Sequence, residues 1–163
     1  MTRPVHFISP ATLDFEDLDR ILSGDFSLSL SAVSRERVLH CREYLDAKTS
    51  GSAEPIYGVN TGFGALYDRQ ISREDLSQLQ HNLVVSHACG AGQEVPPDIV
   101  RLMLLLKAQS LSYGHSGVNL QTVERLMEMF NHRVLPVVYQ QGSLGASGDL
   151  APLAHLSLSL LGL

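Results

Sequence analysis

Residues 141 to 155 read QGSLGASGDLAPLAH. Three glycines, Gly142, Gly145 and Gly148, lie between an apolar run from Arg133 to Tyr139 and a second apolar run that continues to Leu163. Glycine opens backbone angles closed to other residues, so the chain is expected to bend sharply here. Asp149 is a good helix N-cap, and Pro152 falls in the first turn, where its missing N–H matters little. The tripeptide Ala146-Ser147-Gly148 is therefore expected at the mouth of a helix. One reading is a glycine-rich turn that only caps that helix. Another is a serine nucleophile on a strand–turn–helix elbow, but that pattern wants G-x-S-x-G. This chain has Asp149 where the last glycine belongs.

Two further strings stand out. Residues 56 to 64 read IYGVNTGFG, with Gly58, Gly62 and Gly64 around Asn60 and Thr61. Glycine at that density marks a loop. It is not a phosphate cradle, because neither G-x-G-x-x-G nor G-x-x-x-x-G-K-[ST] fits and no lysine follows. Residues 82 to 92 read NLVVSHACGAG and place Ser86 and His87 at the end of an apolar stretch. Taken singly, Tyr57 reads as a structural tyrosine beside a turn, and His87 as a satisfied structural histidine.

Taken together, the three strings resemble the aromatic amino acid ammonia-lyases, and among them the histidine ammonia-lyases. The resemblance implies that Ala146, Ser147 and Gly148 cyclise into a 4-methylidene-imidazol-5-one. The amide nitrogen at Gly148 would attack the carbonyl of Ala146, with water lost from the ring and from Ser147. The residue types suit that chemistry. Serine supplies the hydroxyl whose loss leaves the methylidene, glycine lets its nitrogen reach back, and alanine does not crowd the ring. No ordinary side chain is an electrophile, so such a group replaces an external cofactor, and none is expected. The position of Tyr57 matches the family's catalytic base. A free phenol ionises only near pH ~10, so that role needs nearby positive charge or hydrogen-bond donors. Ser86-His87 matches the pair that tracks substrate choice. An imidazole ring carries a donor and an acceptor, which a polar pair can satisfy and an apolar pair would leave unpaired.

The expected fold is mainly α: the N-terminal part of an aspartase/ammonia-lyase-like helical fold, with glycine-rich active-site loops and one or two short strands. Residues 1–112 would form the active-site loop region and 113–163 the start of a central helical bundle, the rest of the enzyme being absent. The expected reaction is deamination of L-histidine to urocanate and ammonia in a cytoplasmic homotetramer. Backbone N–H groups at the helix opened by Asp149 would face negative charge on the ring oxygen. The isolated stretch is expected to be inactive, uncyclised and self-associating. The alternatives are a tyrosine or phenylalanine ammonia-lyase, an aromatic aminomutase, or a non-catalytic association fragment.

Composition bounds these expectations. The 163 residues suffice for one domain with a real core. The net charge of −5, with scattered basic residues, implies neither nucleic acid nor anionic membrane as partner. Apolar runs such as Leu102 to Leu106 are far too short to span a bilayer. The start, Met1 to Pro10, has charge and two prolines rather than the apolar core of a signal peptide. Cys41 and Cys89 show no metal-ligand spacing and suit reduced thiols. The seven histidines form no H-x-x-x-H or H-E-x-x-H pair, so no metal is expected.

Periodicity predicts helices over 12–22, from Ser31 or Ser34 to about Lys48, over 72–88, 98–112 and 118–130, and onward from Asp149. Gly24 ends the first, Pro96 and Pro97 open the fourth, and Tyr113 to Gly117 breaks it. The 98–112 helix is apolar on more than one face and should be buried. Phe26 to Leu30 alternates as a short strand, and Thr49 to Glu54 reads as a polar linker.

Overall fold

The computed structural model describes residues 3–51, 54–72, 74–143, 145 and 148–163. The chain divides into two compact units, each built from two separate stretches. The first comprises the chain up to Lys48 together with Val95–Leu135, and the second Thr49–Glu94 with Pro136–Leu163.

In the first unit, strand β1 (Val5–Ile8) pairs parallel with β2 (Ser27–Leu30), in register from Val5 opposite Ser27 to Ile8 opposite Leu30. Parallel neighbours need a crossover, and helix α1 (Phe15–Ser23) supplies it. Its start is fixed by Asp14, whose carboxylate accepts the Asp17 N–H at 2.8 Å. Acids at positions 16 and 17 and Arg20 in the last turn match the helix dipole. The alternation seen in the sequence of β2 is real: Leu28 and Leu30 are buried and the serines are not. In β1 only Ile8 is buried, while Val5 and Phe7 are exposed.

Helix α2 (Ala32–Gly51) follows, capped by the Ser31 hydroxyl, which accepts the Ser34 N–H at 3.2 Å. It runs past Lys48, so the first part of the expected linker is helical instead. Polar residues there continue the helix because none of Lys48 to Gly51 is a proline. Further along, α4 (Pro97–Ser112) packs against α5 (Leu120–His132), while α3 lies in the second unit. Val100, Leu104, Leu105 and Ala108 of α4 meet a core that includes Val123, Leu126 and Phe130 of α5. Arg101 is buried with them, its guanidinium 4.5 Å from the centre of the Phe130 ring and its Nη1 donating to the Leu22 carbonyl at 2.8 Å. Burial pulls the Arg101 pKa below the usual arginine range. Asn131 acts as a strand partner: its side-chain oxygen accepts the Leu28 N–H at 2.6 Å and its amide donates to the Leu28 carbonyl at 2.9 Å. α5 ends on Arg133 in the left-handed conformation, φ 54°, with the Val134 N–H reaching back to the Met129 carbonyl.

The second unit holds α3 (Leu76–His87), α6 (Ala151–Leu158) packed on it, and an antiparallel pair of short strands. These strands are β3 (Ala91–Glu94) and β4 (Tyr139–Gln141), with a register irregularity between Ala91 and Glu94. α3 begins four residues later than its periodicity predicts. The Ser72 hydroxyl donates to the Asp75 carboxylate at 2.8 Å and accepts the Asp75 N–H, a local turn that competes with the helix. The apolar tail leaves α6 at Leu158 and tightens into a 3-10 turn over Ser159–Leu161. None of the described helices is long and apolar enough to cross a membrane. The architecture is mainly α with a few short strands, as expected.

Candidate active site

Every described residue singled out for chemistry lies in the second unit. The Tyr57 loop is held by side-chain bonding to its own backbone. Asn60 accepts the Ile56 N–H at 2.6 Å through Oδ1 and donates to the Glu54 carbonyl at 3.0 Å. Thr61 pairs with Gln70 as an isolated bridge, and Gly62 N–H reaches the Arg69 carbonyl at 2.9 Å. Gly58 and Gly64 take positive φ, 78° and 56°, so glycine is required in this turn. Tyr57 is 64 % exposed, stands edge-on to Phe63, and its phenol oxygen receives the Gly64 N–H at 3.4 Å. The loop thus supplies one donor to the oxygen that would act as base.

Ser86 and His87 occupy the last turn of α3. Both bond back to the same carbonyl: Ser86 Oγ donates to the Leu83 oxygen at 3.0 Å, and His87 Nδ1 lies 2.8 Å from it. Ser86 Oγ and His87 Nδ1 are 3.2 Å apart. A carbonyl only accepts, so Nδ1 carries a proton, and in the neutral ring Nε2 keeps its lone pair. The pair therefore offers an acceptor of the kind that an imidazole N–H can use.

The 142–150 turn opens α6. Gly148 has φ 107°, and its N–H donates to the Gly145 carbonyl at 3.2 Å. Ala146 and Ser147 lie outside the described residues. Asp149 ties the turn to the helix, its Oδ1 accepting the Ser143 N–H at 3.1 Å and the Ala151 N–H at 3.0 Å. It thereby does the capping expected of it, although Leu150 is the residue at the helix boundary. A Cβ on Gly142 would run into the Asp149 carboxylate, so that glycine is needed for the close approach.

Two contacts had no trace in the local sequence. One is the Gly142–Asp149 approach. The other joins His155 of α6 to the segment following His87: the Gly90 N–H donates to His155 Nε2 at 2.9 Å. These partners are 65 residues apart, so only packing of α3 on α6 reveals them. Among the described residues, no cluster of three or more His, Cys, Asp or Glu side chains is arranged to hold a metal.

Comparison with known proteins places this arrangement. The family model for aromatic amino acid lyases matches residues 13–163. A histidine ammonia-lyase of Deinococcus radiodurans is 53 % identical over 151 residues, covering 93 % of this chain and 29 % of that protein. Among solved structures, tyrosine aminomutase from Streptomyces globisporus superposes with a TM-score of 0.88 at 33 % identity, over 98 % of this chain and 29 % of that one. Histidine ammonia-lyase from Trypanosoma cruzi superposes with a TM-score of 0.82 at 31 % identity, over 98 % and 30 %. The chain thus spans about three tenths of the length of the relatives it matches. A family match over nearly its full length, and a glycine-rich turn and loop where the motifs predict them, have one explanation: the chain belongs to the aromatic amino acid lyase family.

Proposed function

We propose that the whole protein is a histidine ammonia-lyase, converting L-histidine to urocanate and ammonia without oxidation. The observation that carries this reading is the Ser86–His87 pair at the end of α3, with His87 Nδ1 2.8 Å from the Leu83 carbonyl, an arrangement that in the neutral ring leaves Nε2 as acceptor. Such a pair satisfies an imidazole, whereas a phenyl ring would leave it unpaired. The 53 % identity to a histidine ammonia-lyase supports the same substrate. The likeness to tyrosine aminomutase supports a second reading, an aromatic aminomutase or a tyrosine or phenylalanine lyase, which incubation with each amino acid separates.

Gly148 takes a positive φ of 107° that favours glycine, and the GSLGASGDLAPLAH motif around it is what supports a cyclised Ala146-Ser147-Gly148. Ala146, Ser147 and Gly148, once cyclised, would supply the electrophile that makes the substrate amine a better leaving group. Tyr57 takes the proton from the substrate β-carbon, a very weak acid, so orientation and charge stabilisation carry much of the barrier. Gly64 N–H steadies the charge that proton transfer requires on the phenol oxygen. Ser86 and His87 hold the imidazole. Asp149 keeps the turn fixed on α6. In the whole protein, residues 113–163 open a central helical bundle within a cytoplasmic homotetramer. Ser147→Ala in the full-length gene product should abolish deamination together with the ring's near-ultraviolet absorbance. Full activity in that variant would overturn the proposal.

A further inference from the structure

We infer that His155 is a positioning residue, which sets the Ser86–His87 end of α3 against α6 and so governs how tightly the substrate ring is held. The inference rests on the function proposed above. His155 is only 8 % exposed, and its ring stands edge-on to Tyr139, with centroids 5.3 Å apart and planes at 75°. Nε2 accepts the Gly90 N–H at 2.9 Å, so the imidazole is the neutral form with its proton on Nδ1. The approach is close enough to exclude a side chain at position 90. A Cβ there would meet His155 Nε2 at 2.8 Å and Tyr139 Cβ at 3.1 Å.

The consequence follows from the chain path. α3 ends at His87, where the Ala88 N–H closes its last turn on the Val84 carbonyl. Only Ala88 and Cys89 separate that end from Gly90. Anchoring Gly90 to α6 therefore fixes where the Ser86–His87 pair sits relative to the helix that Asp149 opens. Tyr139 begins the strand leading into the same turn, so one imidazole touches the segments flanking both motifs. His155 has no place in bond making or breaking. Its effect belongs in substrate binding and in the choice between ring types.

The test uses the full-length gene product with L-histidine. His155→Phe keeps an aromatic ring and loses the acceptor. It should raise KM about three- to tenfold, the worth of one hydrogen bond, while kcat and the ring absorbance stay near the unsubstituted values. His155→Gln, whose amide oxygen can take the place of Nε2, should restore KM. Gly90→Ala breaks the same contact from the other side and should raise KM alike. Combined with His155→Ala, its effect should be smaller than the sum of the two. Unchanged KM in His155→Phe, or no rescue by His155→Gln, overturns the inference while leaving the lyase reading intact. If His155→Phe does not fold, Gly90→Ala decides alone, and an unaltered KM there overturns it as well. An unsubstituted enzyme that deaminates no aromatic amino acid overturns both.

Discussion

Three residues show how position, more than residue type, sets chemistry here. Tyr57 has a backbone donor at its oxygen, and Tyr57→Phe should cost several orders of magnitude in kcat with the fold retained; a drop under about tenfold would remove it as the base. Gly142 leaves room for the Asp149 carboxylate, which a methyl group there would push aside. Gly142→Ala should displace the carboxylate from the Ser143 and Ala151 N–H groups and destabilise the protein by about 1–3 kcal/mol. Thermal melts of Gly142→Ala, Asp149→Ala and the double variant check this. Additive losses would show that the two residues act separately. His6 titrates in a measurable range. Burial, then the Arg20 charge, depresses its pKa, so the folded state resists the proton that the unfolded chain accepts. Its contribution is full above about pH 6.5 and is lost as pH falls through the lower folded value. A melt at pH 7.5 against one at pH 5.5 should show a smaller decline in His6→Gln than in the unsubstituted protein.

Helix ends were legible where a breaker is local, and misplaced where something else competes. α1 ends at Gly24 as its sequence indicates, but it starts at Phe15 behind the Asp14 cap, three residues past the expected start. Asp14→Ala should therefore cost about 1 kcal/mol, read as a shift of the denaturation midpoint; an unchanged midpoint would show the cap to be idle. α4 met its expected bounds, opened by proline, but it is buried along one broad face, with Ile99 and Leu106 exposed on the other. α3 did not, since the Ser72–Asp75 turn delays it. β2 was visible as an alternation of serine and leucine, whereas β1 (VHFI), β3 (AGQE) and β4 (YQQ) do not alternate in sequence.

The division into two units built from interleaved stretches has its own consequence. Buried Val100, Leu104, Val123 and Phe130 tie α4 to α5, whereas the 54–71 loop rests mainly on backbone and Asn60 bonds. Amide exchange should be slowest in the centres of α4 and α5 and fast in that loop, and equal protection would contradict this account. Acid should act on the first unit through Asp17, Asp25 and Asp46. Hydrogen bonds from Arg20, Arg133 and Arg42 respectively hold these carboxylates below their usual range. Their support is complete above about pH 4 and fades as pH falls through the lowered values, though exposure and salt keep it small.

The motifs, their glycines, the caps and the long helices could be read along the chain because each depends on neighbours within a turn or two. The family and the candidate residues Tyr57, Ser86, His87 and Gly148 came from those same local strings. What folding added was contact between distant segments: Asn131 completing β2 across 103 residues, and Gly90 pressed on His155 across 65. Such contacts leave no period in the sequence. They exist only once packing brings an unpaired N–H and a lone pair together away from water, where leaving either alone would be costly.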